Sequence, residues 1–383
     1  MLIFKFLILC LICCNGAFAN WNPSARKIIN DEAKKYQSFG KPGYSSYWGG
    51  IRRRFAPRDN KGIHKTIKLP GLLEKDLEVY YFENKGSQNL HIFFPGVFGS
   101  LESEITQSVI RNIETIGESV LVIPNFFAIK YLEAKPIYGD HSMRTDILIP
   151  LGIIDKFKKN YNRFYLYAES LGSFTGASVL ARLSNREEMK NKTFDITFMW
   201  PPIEINNALT YFDKNIVSTK KMFDDCSLAV NAVKTLYYFT KEYYPKNLDE
   251  NYLECMDALL YHSNFVKQMN ASFEKSALYK EEVKIETFMD FLKYHRPELY
   301  KQVKGNDEQT TLKYWLNKRN LKTTKVRFIS STDDFLNLTK NWNEFIAEVG
   351  LKEDSLILLP WGAHSGPLGM PIWDLAFKAN MKQ

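Results

Sequence analysis

Residues 166–173 read Leu-Tyr-Ala-Glu-Ser-Leu-Gly-Ser. Just upstream, 163–167 is an apolar and aromatic run of strand length. Just downstream, 172–183 carries small residues at Gly172, Ser173, Gly176 and Ala177, the kind of helix face that can lie close against a sheet. Strand, sharp turn and helix follow one another here, and the turn falls on Ser170. A turn that lifts a hydroxyl off the end of a strand needs small neighbours, because a larger side chain two residues either side of the serine would strike the adjoining strand or helix. Ala168 and Gly172 meet that condition. Ser170 is therefore a candidate nucleophile.

Working outward, the alternation recurs. Residues 77–83 and 90–94 flank Asn84-Lys85-Gly86-Ser87 and are expected to form a strand pair joined by a turn. The second strand runs into the glycine-punctuated loop Pro95-Gly96-Val97-Phe98-Gly99. Helical spacing follows over 102–116, with Ser100 as the expected cap, and 119–123 is a further short strand. A helix over 146–159 leads into the Ser170 strand, and 194–200, bounded by Pro201-Pro202, is the strand after it. This order predicts an α/β fold with a mostly parallel sheet covered by helices on both faces.

From 203 to 320 the pattern breaks. Helix-like segments rich in Tyr, Phe, Leu and Lys occupy 228–243, 253–269 and 285–294, with no strand signal between them. A stretch of about 118 residues without a sheet element reads as an inserted helical subdomain, since a connection of that length is rarely bare loop. The alternation resumes with a strand at 325–330, a helix over 338–349, a last strand at 355–359 and a helix-like stretch after Gly369. The expected organisation is thus a leader at 1–19, an N-terminal extension at 20–76, the first part of the core at 77–202, a helical cap at 203–320, and the second part of the core at 321–383.

The leader is read from Lys5, an apolar run over 6–14, and Ala17-Phe18-Ala19 ahead of Asn20. That is a basic start, a short hydrophobic centre and a small-x-small cleavage site, predicting export to the periplasm or beyond after cleavage behind Ala19. The run is too short to span a bilayer, and no later segment approaches the roughly 18 to 20 consecutive apolar residues a span requires. Loss of Lys5 takes the formal charge from +8 to +7. The densest basic stretch, Arg52-Arg53-Arg54, has no aromatic-basic repeat beside it, so nucleic acid is not an expected partner. Peripheral contact with an anionic membrane surface stays open. Three of the five cysteines leave with the leader. Cys226 and Cys255 remain, either as a disulfide suited to an exported chain or as two buried thiols. Neither has a His or Cys at ligand spacing, so no metal and no cofactor are expected. The sequence leaves the oligomeric state open.

The turn Ala168-Glu169-Ser170-Leu171-Gly172 resembles the nucleophile elbow of the α/β-hydrolase family, G-x-S-x-G, with alanine at the first glycine. The resemblance extends over about 77–202 and 322–378. It implies an α/β-hydrolase fold and a triad in the order serine, acid, histidine, with the acid after a late strand and the histidine after the last. Here the 325–330 strand is followed by Ser331-Thr332-Asp333-Asp334-Phe335-Leu336. The 355–359 strand is followed by Pro360-Trp361-Gly362-Ala363-His364-Ser365-Gly366. By this resemblance Ser170 is the nucleophile, His364 the base and Asp333 the acid, preferred because the family's acid sits four positions before the chain resumes its helix; Asp334 is the alternative. All three stand at strand ends, where an open α/β sheet places its crevice. The loop Pro95-Gly96-Val97-Phe98-Gly99 is similar to the family's His-Gly-x-x-Gly, with proline for histidine, and implies Val97 N–H as an oxyanion donor beside Leu171 N–H. Glu169 is expected to be a variable neighbour of the nucleophile rather than a proton donor, and His91, His141, His262 and His295 fit no role.

A hydroxyl is a poor nucleophile at neutral pH and needs an adjacent imidazole, which a carboxylate orients. The resemblance implies a serine hydrolase cleaving small-molecule or lipid esters. A cap dense in Tyr, Phe, Leu and Met points to an apolar acyl chain, as in a lipase or lysophospholipase-like esterase. Acyl transfer, amide or peptide cleavage by the same residues, and a non-catalytic binding role on the same scaffold stand as alternatives.

Overall fold

The computed structural model describes residues 21, 23–33, 62–137, 142–240, 255, 258, 260–276, 278–320, 322–337, 341–360 and 364. The leader, Arg52-Arg53-Arg54, His141 and the helix expected after Gly369 lie outside the described residues.

Eight strands form one sheet: β1 (Ile63–Ile67), β2 (Leu77–Phe82), β3 (Asn89–Phe94), β4 (Ser119–Val122), β5 (Arg163–Glu169), β6 (Thr193–Met199), β7 (Thr324–Ser331) and β8 (Leu356–Leu359). Their spatial order is β1-β2-β4-β3-β5-β6-β7-β8. The pairs β1/β2 and β2/β4 are antiparallel, and every other pair is parallel. Most strands from β3 on are nearly continuous runs of buried side chains, as expected where both faces of a parallel sheet are covered.

The structure corrects the expected pairing of 77–83 with 90–94. Both segments are strands, and the turn between them forms, with Ser87 N–H donating to Asn84 O at 2.9 Å. The strands then diverge, and β4 lies between them, pairing Tyr80 with Val122 on one side and Ile92 with Leu121 on the other. Strand β3, with five of its six side chains buried, is an interior strand whose edges are paired by β4 and β5, and the chain crosses through the helix Glu104–Thr115 to bring β4 in between β2 and β3. The sheet also starts earlier than the resemblance suggested. Strand β1 comes from the N-terminal extension, and its mostly exposed residues carry no period-two apolar signal.

Helices α1 (Pro23–Ala33), α2 (Glu104–Thr115), α3 (Leu148–Phe157) and α4 (Gly172–Leu183) precede the helical insertion. The cap of α2 is Ser103, whose side chain accepts from Thr106 N–H, and not Ser100. Trp21, just ahead of α1, anchors the start of the described chain across β7 and β8. Its indole N–H reaches Phe328 O at 3.0 Å and Ser355 O at 3.1 Å, and its backbone N–H reaches Asp354 O at 3.0 Å.

Between β6 and β7 the described elements are all helical: α5 (Ile205–Thr240), a π-helical turn (Leu260–Val266) running into α6 (Lys267–Glu274), α7 (Phe288–His295), α8 (Pro297–Lys304) and α9 (Leu312–Leu316). A final described helix, α10 (Trp342–Glu348), sits between β7 and β8. The insertion is pinned at its root, where Leu312 N–H donates to Ile203 O at 3.0 Å beside a bridge between Glu204 and Thr311. Cys226 on α5 and Cys255 are joined as a disulfide, with Cα atoms 5.4 Å apart, which settles the alternative of two thiols. Arg296, fully buried at the start of α8, ion-pairs with Asp146 of the core. It also donates to Phe126 O at 2.9 Å and stacks over the rings of Phe126 and Phe127. No helix among the described residues is long and apolar enough to cross a membrane.

Candidate active site

Strand β5 ends at Glu169 and α4 begins at Gly172, so the reversal is confined to Ser170 and Leu171. Ser170 adopts φ +50°, a left-handed conformation that costs a residue with a side chain about 1–3 kcal/mol and persists only where the surroundings enforce it. Its N–H still extends the sheet, donating to Met199 O at 2.9 Å, while its C=O accepts from Ser173 N–H as the helix opens. Gly172 is required by close approach: a Cβ there would lie 2.3 Å from Phe94 O and 2.4 Å from Pro95 O. At the opposite side of the elbow, the Cβ of Ala168 is accommodated because α4 presents Gly176, where an added Cβ would come within 2.7 Å of it. Alanine in place of the first elbow glycine is thus matched by a glycine one helical turn on.

The elbow delivers Ser170 Oγ to 2.7 Å from His364 Nε2. The other ring nitrogen, Nδ1, stands 3.1 Å from Asp334 Oδ1. These side chains come from positions 170, 334 and 364 and meet at the C-terminal ends of β5, β7 and β8.

The carboxylate that faces the ring is the alternative, Asp334, rather than the preferred Asp333. After β7 the chain turns tightly, with Asp334 N–H on Ser331 O and Asn337 N–H on Asp334 O. The turn directs Asp334 inward, where its carboxylate is 1% exposed, and leaves Asp333 partly exposed one residue earlier. Asp334 Oδ1 also accepts Leu336 N–H, and Oδ2 accepts Ser330 Oγ and Asn337 Nδ2, each at 3.1 Å. A count back from the resuming helix could not anticipate this, because the local turn is closed by the carboxylate itself. Asn337 carries the arrangement further. Its Nδ2 donates to Pro201 O at 2.8 Å, and its Oδ1 accepts Ile203 N–H at 3.0 Å, tying the acid to the root of the cap.

The loop after β3 is drawn against the elbow. A Cβ on Gly96 would meet Ser170 Cβ at 3.0 Å, and one on Gly99 would meet Pro95 Cβ at 2.4 Å, so both loop glycines are demanded by space. Gly99 N–H closes the turn on Gly96 O at 2.8 Å, and Asn125 clasps the loop from outside, through its own N–H on Gly99 O and its Nδ2 on Pro95 O. Phe98, at φ +57°, packs against Phe127, Phe288 and Phe291. Among the described residues, the N–H groups of Val97 and Leu171 have no hydrogen-bond partner, and both residues line the same cleft as Ser170 and His364.

That cleft has a cavity volume of about 40 Å³ and is walled by Ile205, Leu209, Phe212, Phe265, Phe288 and Leu336, most of them from the cap. Among the described residues its polar side chains are those of Ser170 and His364. Among the described residues no group of three or more His, Cys, Asp or Glu side chains could hold a metal.

The strand order, the single antiparallel strand β2 ahead of a parallel run, and a strained serine between β5 and α4 decide the architecture together. The fold is that of the α/β-hydrolases. No family model matches the chain, and no curated protein does. Among solved structures it is similar to the Pyrococcus furiosus esterase Pf2001 (16% identity over 86% of this chain and 93% of that one, TM-score 0.45). It is similar also to Est1E from Butyrivibrio proteoclasticus (13% identity, 82% and 96%, TM-score 0.43) and to proline iminopeptidase from Mycobacterium smegmatis (12% identity, 83% and 96%, TM-score 0.42).

Glu169 takes a place that sequence reasoning did not assign. Its side chain is buried, and its Oε2 accepts Gly96 N–H at 2.6 Å. Its position beside the serine is visible in the sequence, but its partner lies 73 residues away.

Proposed function

We propose that this chain is an exported serine hydrolase that cleaves carboxylic esters carrying an apolar acyl chain. The observation that carries the proposal is the 2.7 Å approach of Ser170 Oγ to His364 Nε2, with Asp334 on the far side of the ring. In the reaction, His364 Nε2 takes the proton from Ser170 as Oγ attacks the ester carbonyl. Asp334 holds Nδ1–H and offsets the imidazolium charge. Val97 and Leu171 N–H donate to the oxyanion, a stabilisation often worth about 3 to 4 kcal/mol per donor. Collapse of the tetrahedral intermediate expels the alcohol, which receives the proton from His364. Water, activated by the same imidazole, then releases the acid from Ser170 and returns the enzyme.

The substrate class follows from the cleft. Its described walls are hydrocarbon, so an acyl chain gains about 25 cal/mol per Å² of apolar surface buried there. A free ammonium or carboxylate, as on a peptide terminus, would find no counter-charge among those walls, which favours a neutral ester over an amide with a charged end. Export rests on the 1–19 leader and is supported by the Cys226–Cys255 disulfide, which belongs in an oxidising compartment.

The test is stoichiometric labelling of the mature chain by a fluorophosphonate, together with turnover of p-nitrophenyl esters of graded acyl length. Labelling should vanish in Ser170→Ala. Asp334→Asn should lower kcat by about 10⁴-fold, whereas Asp333→Asn stays within a few-fold of wild type. Well-folded wild type that neither labels nor hydrolyses any ester would end this reading.

A further inference from the structure

We infer that Glu169 is a positioning residue for the oxyanion hole, fixing the Val97 peptide against the nucleophile through its hydrogen bond with Gly96 N–H. The inference rests on the hydrolase reading above and adds a residue to it.

Glu169 closes β5, and Ala168 before it is still paired with Phe94 at the end of β3. The left-handed turn at Ser170 sends the serine side chain into the cleft while the Glu169 side chain reaches sideways under the loop that leaves β3. There it is 6% exposed, and Oε2 accepts Gly96 N–H at 2.6 Å. The contact is close: an added Cβ at Gly96 would fall 2.4 Å from that same oxygen. The rest of the loop is held elsewhere, by Asn125 at Pro95 O and Gly99 O and by Phe98 among the cap aromatics. The Gly96 amide, directly before Val97, is therefore tied to the elbow by Glu169. One tripeptide, 169–171, thus sets three things at once: the nucleophile, the Leu171 donor, and through the carboxylate the orientation of the Val97 donor. A side-chain oxygen at this reach accepts the Gly96 N–H and fixes the direction of that peptide. A donor misplaced by about 1 Å costs transition-state stabilisation and leaves ground-state binding nearly intact.

The experiment compares Glu169→Gln, Glu169→Asp and Glu169→Met in the mature chain, measuring kcat and KM on an apolar ester and the inhibition constant of an alkyl boronic acid, which mimics the tetrahedral intermediate. Gln keeps an acceptor at full reach without charge, Asp keeps charge but falls one methylene short, and Met fills the space with no acceptor. Gln should stay within about 3-fold of wild type. Asp and Met should lose about 10- to 100-fold in kcat with KM within about 2-fold, and boronate affinity should fall in parallel. A purely structural role would lower thermal stability without moving kcat and boronate affinity together. The inference is overturned if Asp matches wild type while Gln fails, if all three are flat, or if the losses fall in KM. Should Met not fold, the Gln and Asp pair decides alone. Active wild type with inert Ser170→Ala and a flat Glu169 series defeats this inference only, whereas wild type inert toward both ester and probe defeats the hydrolase reading with it.

Discussion

His91 lies fully buried in β3, its ring stacked 4.6 Å from Tyr165 and 5.8 Å from Tyr167 on β5, with Nδ1 3.3 Å from the Tyr167 hydroxyl. Burial strips the imidazolium of water, and the pKa falls to about 3 from an ordinary 6.5. The sign follows directly. Between pH 6.5 and 3 the unfolded chain binds a proton at this residue that the folded chain refuses, so stability is lost as the pH drops through that window. From pH 7 to pH 5 this residue should cost about 2 kcal/mol. Urea unfolding of wild type and His91→Gln at the two pH values checks it: the variant should lose about 2 kcal/mol less than wild type over the same interval. The residue therefore belongs to the stability of the sheet, remote in role from the His364 that meets Ser170.

At the scale of elements, the contact between β5 and α4 decides how close the elbow helix can come. Ala168 and Gly176 share one small space, and a methyl on Gly176 would also press on Ile196 at 3.3 Å and Phe94 at 3.4 Å. Gly176→Ala should gain helix propensity of up to about 1 kcal/mol yet lose about 1–3 kcal/mol to overpacking, for a lowered melting temperature and a displaced nucleophile. Adding Ala168→Gly to that variant should restore most of the loss, a non-additivity expected only of residues in direct contact. Calorimetry on the two single variants and the double variant measures it, and a purely additive result would separate the two positions. The same pair explains why the departure from the family's first elbow glycine carries no penalty here.

Across the whole molecule, the cap and the core are joined by the Arg296–Asp146 ion pair, buried on both sides, while the Cys226–Cys255 disulfide braces α5 within the cap. Removing the guanidinium leaves a carboxylate in low dielectric, so Arg296→Met should destabilise by about 3–5 kcal/mol in chemical unfolding. Replacing both partners with apolar residues should cost much less. Because Arg296 also holds Phe126 O, beside the Asn125 that clasps the loop after β3, loosening it should reach the cleft through that loop as well as through the cap.

Much of this was legible in the sequence wherever the determining interactions are local. The strands at 163–167 and 194–200, the helix over 172–183 and the small residues around Ser170 are patterns within a few residues of one another, and they have counterparts in β5, β6, α4 and the elbow. What required the tertiary structure was every choice made by a partner distant in the chain. The pairing of β4 with both β2 and β3 set it between them. The turn that buries one of two adjacent aspartates selected Asp334. The approach of the β3 loop to the elbow gave Glu169 its partner. Backbone propensity acts on neighbours along the chain, whereas register, side-chain facing and hydrogen-bond pairing are fixed only when remote segments compete for the same buried space.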